Sequence, residues 1–275
     1  MIGRCMNVRR TQSAAELACH GVALHCDSIR IFVGQGMRAL ILCVGLLFPQ
    51  LAPAQVLQVD YEGFTVWVDC DRRGAVLFHY IAGPDTGNEE RESDYEHDPE
   101  IPARCQSLST DTFQSTIPDG GPRYDVGHQV PANHMDGSEI AIAQTNYWTN
   151  LLPQTASMNR GAWRETEDII ECLRELVPLE VWGGPIWGAN FADDRFVGTH
   201  GIQTPAAFWK VAIRMDSREA NAWIIPNGPA PRSSLDQWLE AVGTVEKVTG
   251  LTFNAADKDL KPAASWAQPD GCDIS

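Results

Sequence analysis

YDVGHQVPANHMDG (residues 124–137), followed by NLLPQ (150–154) and NRGAW (159–163), is the stretch on which the reading of this chain turns. Its first part packs Asp125, His128, Asn133, His134 and Asp136 into one short segment. Three readings are open for such a segment: a metal site, a general base on a turn, or a polar loop. Gly127, directly before His128, permits a turn and a close approach to the imidazole. Histidine is the side chain best suited to act as a base near neutral pH. A lone histidine more often hydrogen-bonds backbone in a core, but the density of polar groups here weighs against that. Zinc held by His128, His134 and Asp125 or Asp136 is disfavoured, because the stretch has no His-x3-His helical spacing.

Downstream, EIAIAQT starts as a short helix, and Pro153-Gln154 reads as a turn. Residues 159–177, NRGAWRETEDIIECLRELV, form the strongest helical pattern. Trp163, Ile170, Leu173 and Val177 recur at helical spacing, and the acids lie early, near the positive end of the helix dipole. Asn159 opens this pattern and reads most simply as an N-cap. Its other reading is an oxygen ligand for a hard cation such as Mg²⁺, which keeps most of its waters and takes few protein ligands. Glu167 falls two turns on, near the same face, where it would hold those waters from outside.

Working outward, FTVWVDC (64–70) and AVLFHYIAG (75–83) read as a hairpin around DRRG. Residues 84–123 follow as a polar loop with the acidic run EERESDYEHDPE and Pro99, Pro102, Pro118 and Pro122. A loop of this length is functional or tied down, and Cys105 is positioned to tie it. LEVWGGPIWG reads as a buried strand with a glycine break. AFWKVAIRMD and AWIIPN form a second hairpin around SREAN. SLDQWLEAVGTVEKVTGL reads as a serine-capped last helix ending at Gly250. There is no internal repeat and no low-complexity segment. Strands, loop, helix, strands, helix is an α+β order, expected as one domain over residues 55–275.

The 275-residue chain is 44% hydrophobic, enough for a sizeable core. No apolar run is long enough to span a membrane, so no stable membrane association is expected. Met37-Arg38, the run ALILCVGLLF and the Ala52-Pro53-Ala54 site have the pattern of a secretory signal over residues 37–54, cut near Ala54. The expected protein is exported, periplasmic or secreted, and residues 1–36 read as a mis-assigned extension ahead of the true start. Cys70, Cys105, Cys172 and Cys272 then remain, an even number in an exported chain, so two disulfides are expected. Three connectivities are open. Pairing the cysteines in chain order gives Cys70–Cys105 and Cys172–Cys272. Removing the five Lys/Arg and two Asp/Glu ahead of Gln55 leaves 16 basic and 34 acidic side chains, a formal charge of −18. Such a chain is repelled by polyanions unless basic groups gather at one place.

Taken together, Asp125-Val126-Gly127-His128, Asn150-Leu151-Leu152-Pro153-Gln154 and Asn159-Arg160-Gly161-Ala162-Trp163 resemble the ordered motifs of the DNA/RNA non-specific endonuclease family. These are the ββα-metal nucleases of the Serratia nuclease and endonuclease G type. The resemblance extends over about residues 61–253. It implies a central antiparallel sheet with flanking helices and long loops. It also implies a Mg²⁺-dependent phosphodiester hydrolase acting on DNA and RNA, with Mn²⁺ as a substitute, that leaves 5′-phosphates. His128 would be the general base, Asn159 the protein ligand of the cation, Glu167 the group orienting its waters, and Asn150 a support for that geometry. Asp125, Gly127, His134 and Asp136 would be structural. Val126 stands where the family carries a phosphate-contacting arginine, which passes that task to Arg123 or Arg160, with Arg104 and Arg164 as further candidates. Ser93 occupies a second arginine position, with Arg91 close by. The alternatives are a catalytically weak or inactive binding module on the same fold, and a phosphodiesterase for smaller substrates.

Overall fold

The computed structural model describes residues 55–189 and 194–272. Strands β1 (Val56–Asp60), β2 (Phe64–Asp69) and β3 (Gly74–Ala82) form an antiparallel meander. In β2, Phe64, Val66 and Val68 are buried while Thr65 and Trp67 are half-buried. This is the period-two pattern of a strand with one face on a core. The loop expected over residues 84–123 is present, interrupted only by 3₁₀ turns at Ala103–Cys105 and Phe113–Thr116 and by one isolated bridge. Its ties include the Cys70–Cys105 disulfide, the bridge pairing Glu96 with Tyr147, and the Leu108 N–H donating to His200 O at 2.8 Å.

Two segments expected as turns are strands. β4 (Tyr124–His128) pairs antiparallel with β5 (Leu151–Thr155), and α1 (Glu139–Thr145) lies between them in sequence, capped by Ser138. Gly127 and Pro153 look like turn residues but sit within this ladder, opposite Leu152 and Val126. Proline is tolerated there because a two-stranded ladder leaves one side of each strand unpaired.

The helical stretch also starts earlier than expected. It begins as α2 (Ala156–Met158), passes through a π turn at Asn159–Trp163 and continues as α3 (Arg164–Arg174). Asn159 itself has helical backbone angles, φ −57° and ψ −50°. It is therefore not an N-cap, a position that needs extended backbone.

β6 (Leu179–Trp187), β7 (Pro205–Arg214), β8 (Ala220–Pro226) and β9 (Leu239–Glu240) complete the main sheet. Its order is β1-β2-β3-β6-β7-β8-β9, antiparallel throughout. The last helix, α4 (Val242–Thr249), does end at Gly250, in the left-handed region at φ 74°. Its expected serine-capped half is instead a 3₁₀ turn at Arg232–Trp238 leading into β9. There Leu239 and Glu240 pair with Trp223 and Ala222, a ladder that occupies backbone groups a longer helix would use.

The sheet separates two cores. Phe78, Tyr80, Val181 and Phe208 pack on one side with Leu151, Leu152, Trp163 and Ile170. Trp209, Val211 and Ile213 pack on the other with Val242, Val245 and Phe253. A second disulfide, Cys172–Cys272, ties the C-terminal segment to α3, so the four cysteines pair in chain order, as expected. The fold is α+β, as expected, and the described residues belong to one compact unit. The extension and the export signal, residues 1–36 and 37–54, lie outside the described residues. Among the described residues no helix is long and apolar enough to cross a membrane.

Candidate active site

His128 closes β4 and is buried at 9% exposure. Gly127 lets the two strands of the small ladder press together: a Cβ there would lie 2.3 Å from the Gln154 side chain. The His128 Nε2 lies 3.0 Å from Asn146 Oδ1. Asn146 Nδ2 donates to the Glu92 carbonyl at 2.9 Å. That bond orients the amide so that its oxygen accepts from His128 Nε2–H, and it leaves Nδ1 as the imidazole's basic nitrogen. Burial pushes the His128 imidazole down to about 3, the Arg91 charge adds to the fall, and the Asn146 hydrogen bond opposes it. The ring is therefore neutral at physiological pH. His128 thus stands at the end of a strand, not on a turn.

Asn150 is fully buried and serves the histidine indirectly. Its Oδ1 accepts from Val130 N–H, and its Nδ2 donates to the carbonyls of Val130 and Thr145. It thereby clamps the chain just beyond His128 to the end of α1, which carries Asn146.

Asp125 organises the other wall. It accepts from Asn159 Nδ2 at 3.0 Å and from Arg160 Nε and Nη2 at 2.8 and 2.6 Å. Burial raises the Asp125 carboxyl, but the hydrogen bonds from Arg160 and Asn159 outweigh it and hold the group below its usual range. With the amide nitrogen of Asn159 held by Asp125, its oxygen is the atom chemically able to ligate a cation. Gly161 brings the π turn against the following segment: Ala162 N–H donates to Ala230 O at 2.8 Å, and a Cβ at Gly161 would lie 2.2 Å from that oxygen.

Glu167 lies one turn into α3. Burial raises its carboxyl, opposed by Lys210, Arg164 and Arg91. His134 is buried behind it, with Nδ1 2.8 Å from the Tyr80 hydroxyl and Nε2 3.2 Å from the Glu167 carbonyl. Its Nε2 also lies 3.3 Å from Glu171. Asp136 is buried beside Arg174, and its carbonyl accepts from Glu89 N–H at 3.0 Å. His134 and Asp136 therefore hold local structure.

These elements enclose one cleft of about 820 Å³. Its lining includes His128, Asn159, Glu167, Asp125, Asp136 and Val126, together with Arg91, Arg123, Arg160 and Arg164. The structure thus brings together the expected base, the expected cation ligand and three expected phosphate contacts. Two of those arginines are already engaged: Arg160 by Asp125, and Arg164 by Asp168 through Nε at 2.7 Å. Arg104 is not in the lining; it donates to Gln55. Among the described residues no group of three or more His, Cys, Asp and Glu could hold a metal ion. An amide oxygen and one nearby carboxylate do fit a hard cation that keeps most of its waters, so the donor set suits Mg²⁺ or Mn²⁺.

Two residues that shape the site carry no motif. Asn146 reads in sequence as an ordinary helix end. Lys210 is fully buried on β7, below Glu167. In the otherwise apolar run FWKVAI the lysine falls on the parity of Phe208 and Ala212, which belong to the larger core.

Residues 49–260 match the family described as DNA/RNA non-specific endonuclease. Human mitochondrial endonuclease G is 24% identical over 207 residues, 70% of this chain and 67% of that protein. The nuclease of Serratia marcescens is 27% identical over 154 residues, 54% of this chain and 57% of that protein. Zebrafish (Danio rerio) mitochondrial nuclease EXOG is 28% identical over 171 residues, 57% of this chain and 48% of that protein. The match thus spans about half to two thirds of these relatives' length. A chain in a crystal structure of the EndoG/EndoGI complex shares the fold, with a TM-score of 0.59 at 19% identity over 74% of this chain and 87% of that one.

Proposed function

The chain belongs to the DNA/RNA non-specific endonuclease family, and from that premise we propose that it is a Mg²⁺-dependent endonuclease that hydrolyses DNA and RNA to 5′-phosphate products. One observation carries the reading. A buried, neutral imidazole with one nitrogen pinned by Asn146 lines the same cleft as Asn159 and Glu167. His128 Nδ1 takes the proton from the attacking water. Asn159 would hold the cation through its amide oxygen, and Glu167, lining the same cleft, would orient its waters. When bound, the cation supplies charge stabilisation for the phosphate and the leaving 3′ oxygen. Arg91 and Arg123 contact backbone phosphates, which accounts for cutting without base readout. The two disulfides fit the oxidising compartment of an exported protein.

A second reading, a phosphodiesterase for shorter substrates, is favoured by the charge of the cleft. Glu89, Glu90, Asp125, Asp136 and Glu167 line it against four arginines, two of them paired. Such a cleft disfavours a long polyanion. The test is digestion of plasmid, RNA and a short oligonucleotide at low salt, with Mg²⁺ or EDTA. Cutting of all three, abolished by EDTA, is expected. Cutting of the oligonucleotide alone would favour the second reading. No cutting by folded protein would favour a binding module.

A further inference from the structure

We propose that Lys210 is a positioning residue that fixes the Glu167 carboxylate for cation binding in the cleft. This rests on the metal-dependent reading above. Lys210 lies on the core-facing side of β7 and is fully buried. Its ammonium meets one face of the helix. Nζ donates to Thr166 Oγ1 at 2.8 Å, lies 3.8 Å from the centroid of the Trp163 ring, and lies 3.8 Å from Glu167 Oε1. Residues 163, 166 and 167 are i, i+3 and i+4, neighbours on a helical surface.

Thr166 is preset for this role. Its hydroxyl proton goes to the Trp163 carbonyl at 2.6 Å, so its oxygen is left to accept from the lysine. The hydroxyl and the ring thus hold the ammonium in place, and the ammonium holds the carboxylate at ion-pair distance. The backbone beneath is fixed separately, by His134 at the Glu167 carbonyl.

A buried ammonium is costly to desolvate, and an apolar side chain of similar volume would serve core packing as well or better. What an ammonium adds here is its effect on Glu167. Arg164 and Arg91 also act on that carboxylate, but both line the cleft, where a phosphate competes for them. Lys210 acts from beneath, out of reach of substrate.

The test uses Mn²⁺ binding to the whole protein, followed by electron paramagnetic resonance, which needs no nucleic acid and no turnover. Lys210→Met is expected to weaken Mn²⁺ binding by about tenfold or more, the usual scale for residues behind a metal site. Lys210→Arg should recover part of that loss. In a Glu167→Gln background, Lys210→Met should change Mn²⁺ affinity less than about twofold, because the group it positions is gone. Wild-type Mn²⁺ affinity in folded Lys210→Met overturns the proposal, as does an equal loss in both backgrounds. Should Lys210→Met fail to fold, Thr166→Val is decisive: a weakening of the same sign is expected, and unchanged affinity overturns the proposal. A parent protein that binds no Mn²⁺ would remove the metal reading itself, and this proposal with it.

Discussion

Replacing His128 with alanine will slow phosphodiester cleavage by about 10²- to 10⁴-fold, the range for loss of a general base, and leave the fold intact. The imidazole stands at the end of β4 with its Nε2 engaged by Asn146, so truncation removes the base together with that hydrogen bond. The pH dependence separates this from a simple structural loss. Burial, aided by Arg91, pushes His128 down to about 3. Activity should therefore show no break near the ordinary histidine value of about 6.5, and a fall at lower pH belongs to Glu167, whose carboxyl is raised by burial. The sign for stability follows. The unfolded chain takes up this proton near 6.5 and the fold takes it up near 3. The group's contribution is full above 6.5 and is lost as pH falls toward 3. Initial rates from pH 4 to 8 on plasmid, with circular dichroism of the variant, test both statements. Parent-like cutting by His128→Ala would sink the assignment.

Breaking the Cys172–Cys272 bond will lower stability by about 4 to 5 kcal/mol, the chain-entropy value for a loop of this size. The bond closes a separation of 100 residues, against 35 for Cys70–Cys105. The segment it anchors, after α4, has no regular structure among its described residues. Its contacts include Trp266 N–H donating to Asn221 Oδ1, Trp223 Nε1–H donating to Ser265, and Gln268 reaching Glu165. A domain of ordinary stability, about 5 to 15 kcal/mol, has little margin for such a loss. Urea unfolding of Cys172→Ala/Cys272→Ala against the parent measures it. A difference below about 1 kcal/mol would mean that the segment docks without its tether, contrary to the loop-closure expectation.

Much of this was legible in the sequence. Runs of β-branched and aromatic residues in FTVWV, AVLFHY and AFWKVAI mark strands of the main sheet, and the family resemblance carried by the three motifs names His128, Asn159 and Glu167, which line one cleft. What escaped has physical reasons. Gly127 and Pro153 carry the signature of turns, yet they sit in a ladder because Gln154 presses where a Cβ would be. The π turn at Asn159–Trp163 breaks the 3.6-residue period, so Asn159 was read as a cap when the winding had already begun at Ala156. Local pattern also gives no account of who pairs with whom. Arg160 and Arg164 read as phosphate contacts, and only the fold shows Asp125 and Asp168 already beside them.

The Cys70–Cys105 bond bears on how the protein withstands a protease. The exposed stretch around Glu89 to Asp94 is a natural place for cleavage, since it is polar and lacks regular structure. Cys70 lies before that stretch and Cys105 after it. A nick there would leave two fragments still joined covalently, with β3 on the first paired to β6 on the second. Such a nicked molecule would run as one species without reductant and as two with it. The severed ends would lie at the rim of the cleft, which Glu89, Glu90 and Arg91 line, so the first property to change would be the reach of the cleft toward its substrate, ahead of the integrity of the fold.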